Sequence, residues 1–295
     1  MEWLTSIKDT INYLEEYLLT FKGAEEVAKE VNISSFYLQK GFKVLTGYTI
    51  SEYVKNRRLY LASLEILSKD TKVIDLAYKY GYETPESFTK AFSRFHEATP
   101  SSIKKGVKRP HVFLPLKIMI SIKGGNTMDY VVEEMKGFKV IGFEKFFDYE
   151  TAYQEIPKFW GETYGQKIAP LCKKTNCTKE EEILKESCIG MYGVNIEDGK
   201  NGQFRYLLAG NYMGGEVPEG LKVYEFENSL WAKFTSKGPM PGALQAVNDK
   251  IYKEWLPNNS KYEIAFNASL EVYPASMDTQ SPDYECAIWI PVKEK

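Results

Sequence analysis

Two stretches of this chain carry the same apolar spacing, and that repetition constrains the fold more than any other feature. Leu38, Phe42 and Leu45 recur at i, i+4, i+7, and Phe88, Phe92 and Phe95 repeat them at an offset of 50. Each trio falls on one face of a helix. Ahead of each lies a short helical stretch with a small residue, Ala28 or Ala77. Four residues later comes a residue suited to a left-handed turn, Asn32 or Gly81. Ser34 or Ser35 can cap the helix after the first turn, and Pro85 suits the first turn of the helix after the second. A short helix, a tight turn and a second helix make a helix-turn-helix unit. One copy would equally suit a hairpin in any helical bundle; two copies make coincidence a poor account. An amphipathic opening helix precedes the pair, with Leu4, Ile7, Ile11, Leu14, Leu18 and Phe21 on one side and Gly23 as its stop. A longer helix from Thr49 to about Leu67 joins the two units.

Charge follows the same division. Residues 1–33 hold 3 basic and 7 acidic side chains, residues 34–109 hold 14 and 7, and residues 110–295 hold 21 and 26. The basic block coincides with the repeated units and is a candidate polyanion-binding face, although a solvated lysine surface has the same composition. On the second helix of the first unit, Phe36, Lys40 and Lys43 point away from the apolar trio, with Gln39 at the flank and Ser35 at the start. On its counterpart, Glu86, Lys90 and Ser93 face outward beside Thr89 and Arg94. Two such helices on a rigid connector would meet major-groove segments about one DNA turn (~34 Å) apart. Phe36 opposes the trio in helical angle, so it is expected on a thymine methyl rather than packed on a neighbouring helix.

Residues 104–128 hold two prolines, a basic cluster and a Gly-Gly and read as a linker, within which HVFLPLKIMISIKGG has the character of a short strand packed as an arm. From residue 129 the pattern turns to alternation: YVVEEM, KVIGFEKFF, SCIGMYGVNI, QFRYLLAGNYM, LKVYEF, SLWAKFTS, YEIAFNASLEVY and DYECAIWIPV are strand-like. Two helical stretches intervene, TAYQEIPKFWGETYGQKIAPL and PGALQAVNDKIYKEWL. The order strand, helix, strand, strand, then the same again, predicts an α+β domain of two similar halves. IGMYG at 189–193 parallels LEVYP at 270–274.

Several function classes are excluded on composition. No apolar run approaches the ~18–20 residues needed to cross a bilayer, and MEWLTSIKDTI lacks the basic and apolar regions of a signal peptide. A soluble, cytoplasmic protein with no membrane partner is expected. Cys172, Cys177, Cys188 and Cys286 show no CxxC spacing, and His96 and His111 are the only histidines. That scarcity argues against a structural zinc site and a disulfide framework. Both histidines precede residue 112, so the second half offers no histidine base for a Ser/His or Cys/His triad. No metal and no cofactor are expected.

The stretch from RRLYLAS through VIDLAYKYGYETPESFTKAFSRFHEATPSSIKKG resembles the signature of AraC/XylS-type transcription regulators. It has their arginine-led linker helix, A-x-x-x-G-[FY] turn, phenylalanine-studded second recognition helix and terminal T-P. The resemblance covers about residues 5–107. It implies double-stranded promoter or operator DNA as a partner and RNA polymerase as a further candidate. It places base reading at Phe36, Gln39 and Lys40 and at Pro85, Glu86, Thr89 and Lys90. Lysine stands where related regulators often carry arginine, which disfavours bidentate guanine reading. Glu86 would repel phosphate but can accept from cytosine N4.

The later region, with SLWAKFTSKGPM, EWL, LEVYP and YECAIWIPV, resembles the GyrI-like effector-binding domain over about residues 129–293. The resemblance implies a duplicated βαββ saddle with two helices on one side and a groove for a small-molecule effector between the halves. The expected fold is thus an all-α tandem helix-turn-helix domain (1–108), a linker or arm (109–128) and a duplicated βαββ α+β domain (129–295).

Along YEIAFNASLEVY, Ile264, Phe266, Ala268, Leu270 and Val272 share one face by period two, and Glu263, Ala265, Asn267, Ser269, Glu271 and Tyr273 the other. An acid among apolar residues is expensive to bury without a partner, and a surface glutamate is the ordinary reading. The resemblance favours the buried one, because Glu271 matches the acid at the base of the GyrI-like pocket. Its expected neighbours are Tyr192, at the equivalent place in the first half, and Trp289, on the closing strand. Trp160, Tyr164, Tyr206 and Tyr273 are further pocket candidates for which core packing is an equal reading. A carboxylate among aromatic faces suits a lipophilic cation. A ligand-responsive, non-enzymatic regulator uses both domains. The alternatives are a GyrI-like hydrolase acting through Glu271 and Tyr192, and a sequestering module attached to a DNA-binding domain.

Overall fold

The structure, a computed structural model, describes residues 2–68, 71–118, 128, 130–198, 202–274 and 278–295. The chain divides into two compact units, Glu2–Ile122 and Lys123–Lys295. Among the described residues no helix is long and apolar enough to cross a membrane.

The first unit is built from α1 (Glu2–Glu16), α2 (Ala24–Glu30), α3 (Ser35–Thr46), α4 (Ile50–Ser68), α5 (Val73–Lys79), α6 (Pro85–His96) and α7 (Pro100–Lys104). The pairs α2–α3 and α5–α6 are two helix-turn-helix copies, and their turns close alike. Asn32 (φ 53°) and Gly81 (φ 81°) take the left-handed conformation. The Ile33 amide donates to the Ala28 carbonyl at 3.0 Å, and the Tyr82 amide to the Ala77 carbonyl at 2.9 Å. This is the backbone closure of a Schellman turn. Ser34 caps α3 by accepting from the Tyr37 amide, and Thr84 caps α6 by accepting from that of Ser87. Phe88 and Phe92 pack with Leu59, Ala62, Leu76, Ala77 and Ile103 in the second copy's core. The opening helix stops at Glu16, short of Gly23, although Leu18 beyond it is still buried.

Inside α4 the two adjacent arginines are structural. Arg57 is 5% exposed and grips Glu15 through Nε (2.7 Å) and Nη2 (2.8 Å), while its Nη1 donates to the Phe113 carbonyl at 2.6 Å. Burial works to raise the Glu15 carboxyl, but hydrogen bonds from Arg57 and Tyr53 outweigh it and hold the group below the ordinary carboxylate value. Arg58 donates from Nε to the Leu18 carbonyl at 2.7 Å. The chain after α7 returns over α4. Phe113 is buried, with its ring against Tyr48, Tyr53 and Phe95. The His111 amide donates to His96 Nδ1 at 3.0 Å, and His96 Nε2 faces the Leu59 carbonyl at 3.1 Å. Nδ1 as acceptor and Nε2 as donor make His96 a neutral imidazole. The strand expected in this arm is not formed over residues 111–118; residues 119–125 of it lie outside the described residues.

The second unit is a single antiparallel sheet with helices on one face. Its strands are β1 (Tyr130–Met135), β2 (Phe138–Asp148), β3 (Tyr192–Ile196), β4 (Gln203–Asn211), β5 (Lys222–Phe226), β6 (Ser229–Lys237), β7 (Tyr262–Ile264), β8 (Ala268–Val272) and β9 (Glu285–Glu294). They lie in the order β1-β6-β9-β8-β3-β4-β2-β5, with β7 pairing β9. Between them run α8 (Ala152–Trp160), α9 (Lys179–Glu186) and α10 (Gly242–Lys250). Both α8 and α10 pass into π-helical turns, Gly161–Ile168 and Ile251–Trp255. Two βαββ halves, β2-α8-β3-β4 and β6-α10-β8-β9, meet along β3 and β8. The strand ahead of each half crosses to the other, β1 pairing with β6 and β5 with β2. Phe159 of α8 packs on Phe147 and Tyr206, and Trp255 after α10 packs on Phe234.

Register carries each face across the sheet, because directly opposed residues share a side. Phe234, Ile288, Glu271, Gly193 and Leu208 form one row of cross-strand partners on the helix-covered face. Trp289, Leu270, Val194 and Leu207 form a row on the other, where Trp231, Phe226 and Tyr192 complete an apolar cluster. YEIAFNASLEVY is therefore not one continuous strand. Ile264 opposes Val292 while Leu270 opposes Trp289, neighbours of opposite parity on β9, so the break at 265–267 exchanges the faces of its two ends. SCIGMYGVNI likewise enters its strand only at Tyr192.

Candidate functional site

The outer surfaces of α3 and α6 differ. On α6, Glu86, Lys90 and Arg94 are exposed one turn apart, with Pro85 and Thr89 half-buried beside them. Thr89 turns its hydroxyl back to the Pro85 carbonyl at 2.7 Å. On α3 polar side chains are engaged, within the helix or with α4. Gln39 donates to the Ser35 hydroxyl at 3.0 Å, and Lys43 pairs with Glu52 at 3.0 Å. Phe36 is not outward: it is 1% exposed, edge-on to Tyr37, with the Lys40 ammonium 5.6 Å from its ring centre. A helical side chain leans toward the N-terminus, so one in the first turn covers the turn before the helix instead of reaching out. The expected thymine contact by Phe36 is therefore withdrawn.

In the second unit Glu271 lies on the helix-covered face at the seam of the halves. Its Oε2 accepts from the Tyr273 hydroxyl at 2.8 Å and the Tyr206 hydroxyl at 3.4 Å. Trp160 Nε1 donates to the Tyr206 oxygen at 2.7 Å, and the Trp160 ring stands edge-on to Tyr273 at 5.2 Å. Burial, and then the Glu271 charge, push the Tyr206 and Tyr273 phenols well above their ordinary value, so both stay protonated as donors. Gly193 makes the meeting possible: a Cβ there would lie 2.3 Å from the Tyr206 hydroxyl and 2.8 Å from Glu271 Oε2. Tyr164 is one ring further out, against Trp160 and over Gly190. Among the described residues no lysine, arginine or histidine forms an ion pair with Glu271.

A cleft of about 290 Å³ lies between α8 and α10, lined by Tyr153, Gln245, Ala246, Asn248 and Asp249. Tyr153 shows over half of its surface to solvent. Its hydroxyl nonetheless sits where burial first, then Asp249 and Glu271, raise its pKa.

Trp160, Tyr206 and Tyr273 are thus brought to Glu271, and Tyr192 and Trp289 are not. Tyr192 opposes Val272 and donates to Asn211 Oδ1 at 3.1 Å, with Trp289 as its ring neighbour on the far face. The parallel between IGMYG and LEVYP has an offset of 81, whereas partners on β3 and β8 share parity. An odd offset moves every matched residue to the opposite face. The hydrolase alternative loses its pairing of Glu271 with Tyr192 on the same ground. Sequence reasoning also passed over Gly193, Tyr153 and two buried polar residues, Asn195 (5% exposed) and Ser269 (2%). Asn195 Nδ2 and Ser269 Oγ have no hydrogen-bond partner among the described residues. A polar residue inside a strand that ought to be buried was the available signal.

A tandem helix-turn-helix unit followed by this strand-exchanged saddle defines a DNA-binding regulator of the AraC type with a GyrI-like domain. Residues 27–106 match the family model of a helix-turn-helix domain, and residues 131–292 that of the integron-associated effector binding protein. The second match spans more than half of the chain, which belongs to that family. The regulatory protein SoxS of Escherichia coli (strain K12) is 32% identical over 98 residues, covering 33% of this chain and 92% of SoxS. The structure of SAV2435 bound to tetraphenylphosphonium matches at a TM-score of 0.46 and 23% identity, over 56% of this chain and 94% of that one. The integron cassette protein of Vibrio cholerae matches at 0.40 and 16%, over 56% and 95%. The matched families are those of regulators and effector-binding proteins, not of enzymes.

Proposed function

We propose that α3 and α6 read duplex DNA and that the groove over Glu271 binds a lipophilic cation whose occupancy sets the regulatory output. In this reading Lys90, Arg94, Glu86 and Thr89 are the main contacts of the second recognition helix. Lys40, Gln39 and Lys43 serve the first, with Ser35 and Pro85 at the helix starts. The observation that supports the effector reading is a carboxylate held by two phenols in an aromatic site, with no basic partner among the described residues. A half-buried acid of this kind gains most from a ligand that brings the missing positive charge. Trp160 and Tyr273 add ring faces that attract a cation by roughly 0.5–2 kcal/mol.

Calorimetry of the full chain with tetraphenylphosphonium tests it, with the anion tetraphenylborate as a control of the same shape. Glu271→Gln should weaken the cation roughly 10- to 100-fold, the scale of Coulomb attraction between a half-buried carboxylate and a bulky cation that has no hydrogen to donate, and leave the melting temperature nearly unchanged. Equal binding of cation and anion by the unmodified chain would defeat the reading.

A further inference from the structure

Resting on the reading of Glu271 as a cation site, we infer that the effector also carries a hydrogen-bonding oxygen about 7 Å from its positive centre, held by Asn195 and Ser269. On β3 and β8, Gly193 opposes Glu271 and Asn195 opposes Ser269. Both pairs lie on the helix-covered face, two residues apart along each strand. At ~3.3–3.4 Å per residue that separation is about 7 Å. Across the next strand Asn195 opposes Tyr206, whose hydroxyl reaches Glu271, so the polar residues form one continuous floor.

The deeper pair differs in state from the acid. Glu271 is half-buried and partnered, whereas Asn195 and Ser269 are 5% and 2% exposed, with Nδ2 and Oγ lacking any partner among the described residues. Burying an amide and a hydroxyl unpaired works against folding. On the other face the same two strands place Val194 opposite Leu270, so apolar packing at this seam is available to the fold. Keeping an amide opposite a hydroxyl therefore serves a group that arrives from outside. The amide donates, and the serine hydroxyl donates or accepts. A carbonyl, ether or hydroxyl oxygen on the ligand satisfies the pair, and a hydrocarbon tail does not. The effector class is then an amphiphilic cation with an oxygen placed about five or six bonds from the charge, not a cation of hydrocarbon alone.

Two matched probes test this on the full chain: 4-hydroxybutyltriphenylphosphonium and pentyltriphenylphosphonium, alike in charge and length and different at the terminal atom. The unmodified chain should bind the hydroxybutyl compound about 3- to 10-fold more tightly. Asn195→Leu and Ser269→Ala should each reduce that preference at least threefold while tightening the pentyl compound or leaving it unchanged. Each should also leave the ligand-free melting temperature equal or higher, since an unpaired polar atom is removed. Equal affinities for the two probes in the unmodified chain, or a preference surviving both substitutions, would overturn the inference while leaving the Glu271 reading intact. So would a lower ligand-free melting temperature in both variants, which makes the pair part of the fold. Failure of both probes to bind at all would defeat the Glu271 reading and this inference with it.

Discussion

Both units of this chain are duplications, yet an added residue means different things in each. In the helical unit the second turn is longer by one residue, Gly81 to Thr84 against Asn32 to Ser34, and both copies still bury their apolar trio's leading pair. A Schellman turn ends one helix and a hydroxyl cap begins the next, so a residue between them changes only the path of entry. In the sheet unit the shift at 265–267 reverses which side a residue faces, and the halves are further tied by exchanging their leading strands. Helical repeats are joined by loops that absorb a change; sheet repeats share a register that cannot.

Changing the length of each unit by one residue should separate the two kinds of repeat most widely. Inserting an alanine between Ser269 and Leu270 would turn Leu270 toward the helices and Glu271 away from them. A loss of about 5 kcal/mol or more is expected, beyond the usual reach of a substitution. Four of the five tryptophans, Trp160, Trp231, Trp255 and Trp289, lie in this unit, so their fluorescence reports it. Deleting exposed Glu83 from the longer turn should cost no more than about 1 kcal/mol by far-ultraviolet dichroism. A large loss there would mean the helical repeat is as register-bound as the sheet.

Arg57→Ala should follow in size, at about 3 kcal/mol, because it strands the Glu15 carboxylate and frees the Phe113 carbonyl. The lower end of the range applies since the Glu15 side chain is 24% exposed. Denaturant unfolding followed by far-ultraviolet dichroism should show the loss with tryptophan fluorescence little changed; a shift below 1 kcal/mol would show that the ion pair is dispensable.

The two recognition helices should then part company. Lys90→Ala should weaken specific DNA binding by roughly 1–3 kcal/mol if it reads a base, or reduce the salt slope by about one if it neutralises phosphate. Lys40→Ala should do less, because Lys40 is half-buried and lies over Phe36. Equal effects in a salt titration of both variants would remove the distinction between α3 and α6.

The smallest effect is in pH. Burial lowers the His96 pKa below 6.5, with the Leu59 carbonyl opposing and His111 adding to the shift. A histidine depressed in the folded state contributes stability above its unfolded pKa. As pH falls below about 6.5 the unfolded chain takes the proton first, and stability drops by at most about 1.4 kcal/mol per pH unit for this one site. Melting curves from pH 7.5 to 5.5 should show a steeper decline in the unmodified chain than in His96→Gln; parallel curves would mean that His96 titrates alike folded and unfolded.

Legibility followed the same divide. The turn residues Asn32 and Gly81, the Ser34 cap and the connecting helix could be read because each depends on a few residues nearby. Phe36 was misplaced because a helical angle says nothing about what lies over the first turn. In the second unit the strands and the two long helices were legible by period, and α9 was missed although Thr178 and Glu181 form a reciprocal capping box. Glu271 could be named from the family resemblance, and Tyr206, Tyr273 and Trp160 only as candidates for which core packing was an equal reading. Tyr192 and Trp289 were drawn in by an alignment that was off by an odd number of residues.

Local sequence is enough to specify a doubled helical unit with a basic face and a doubled sheet unit with an acid among aromatic residues. Those properties reside in spacing, capping chemistry and charge, which act over one or two helical turns or along a single strand. Strand pairing sets which side of the sheet each residue takes, that Gly193 opens the space where Tyr206 meets Glu271, and that Asn195 and Ser269 lie buried beside them. Those outcomes depend on the register between strands some 75 residues apart in sequence, β3 at 192–196 and β8 at 268–272. A shift of one residue leaves every local pattern intact while exchanging the two faces.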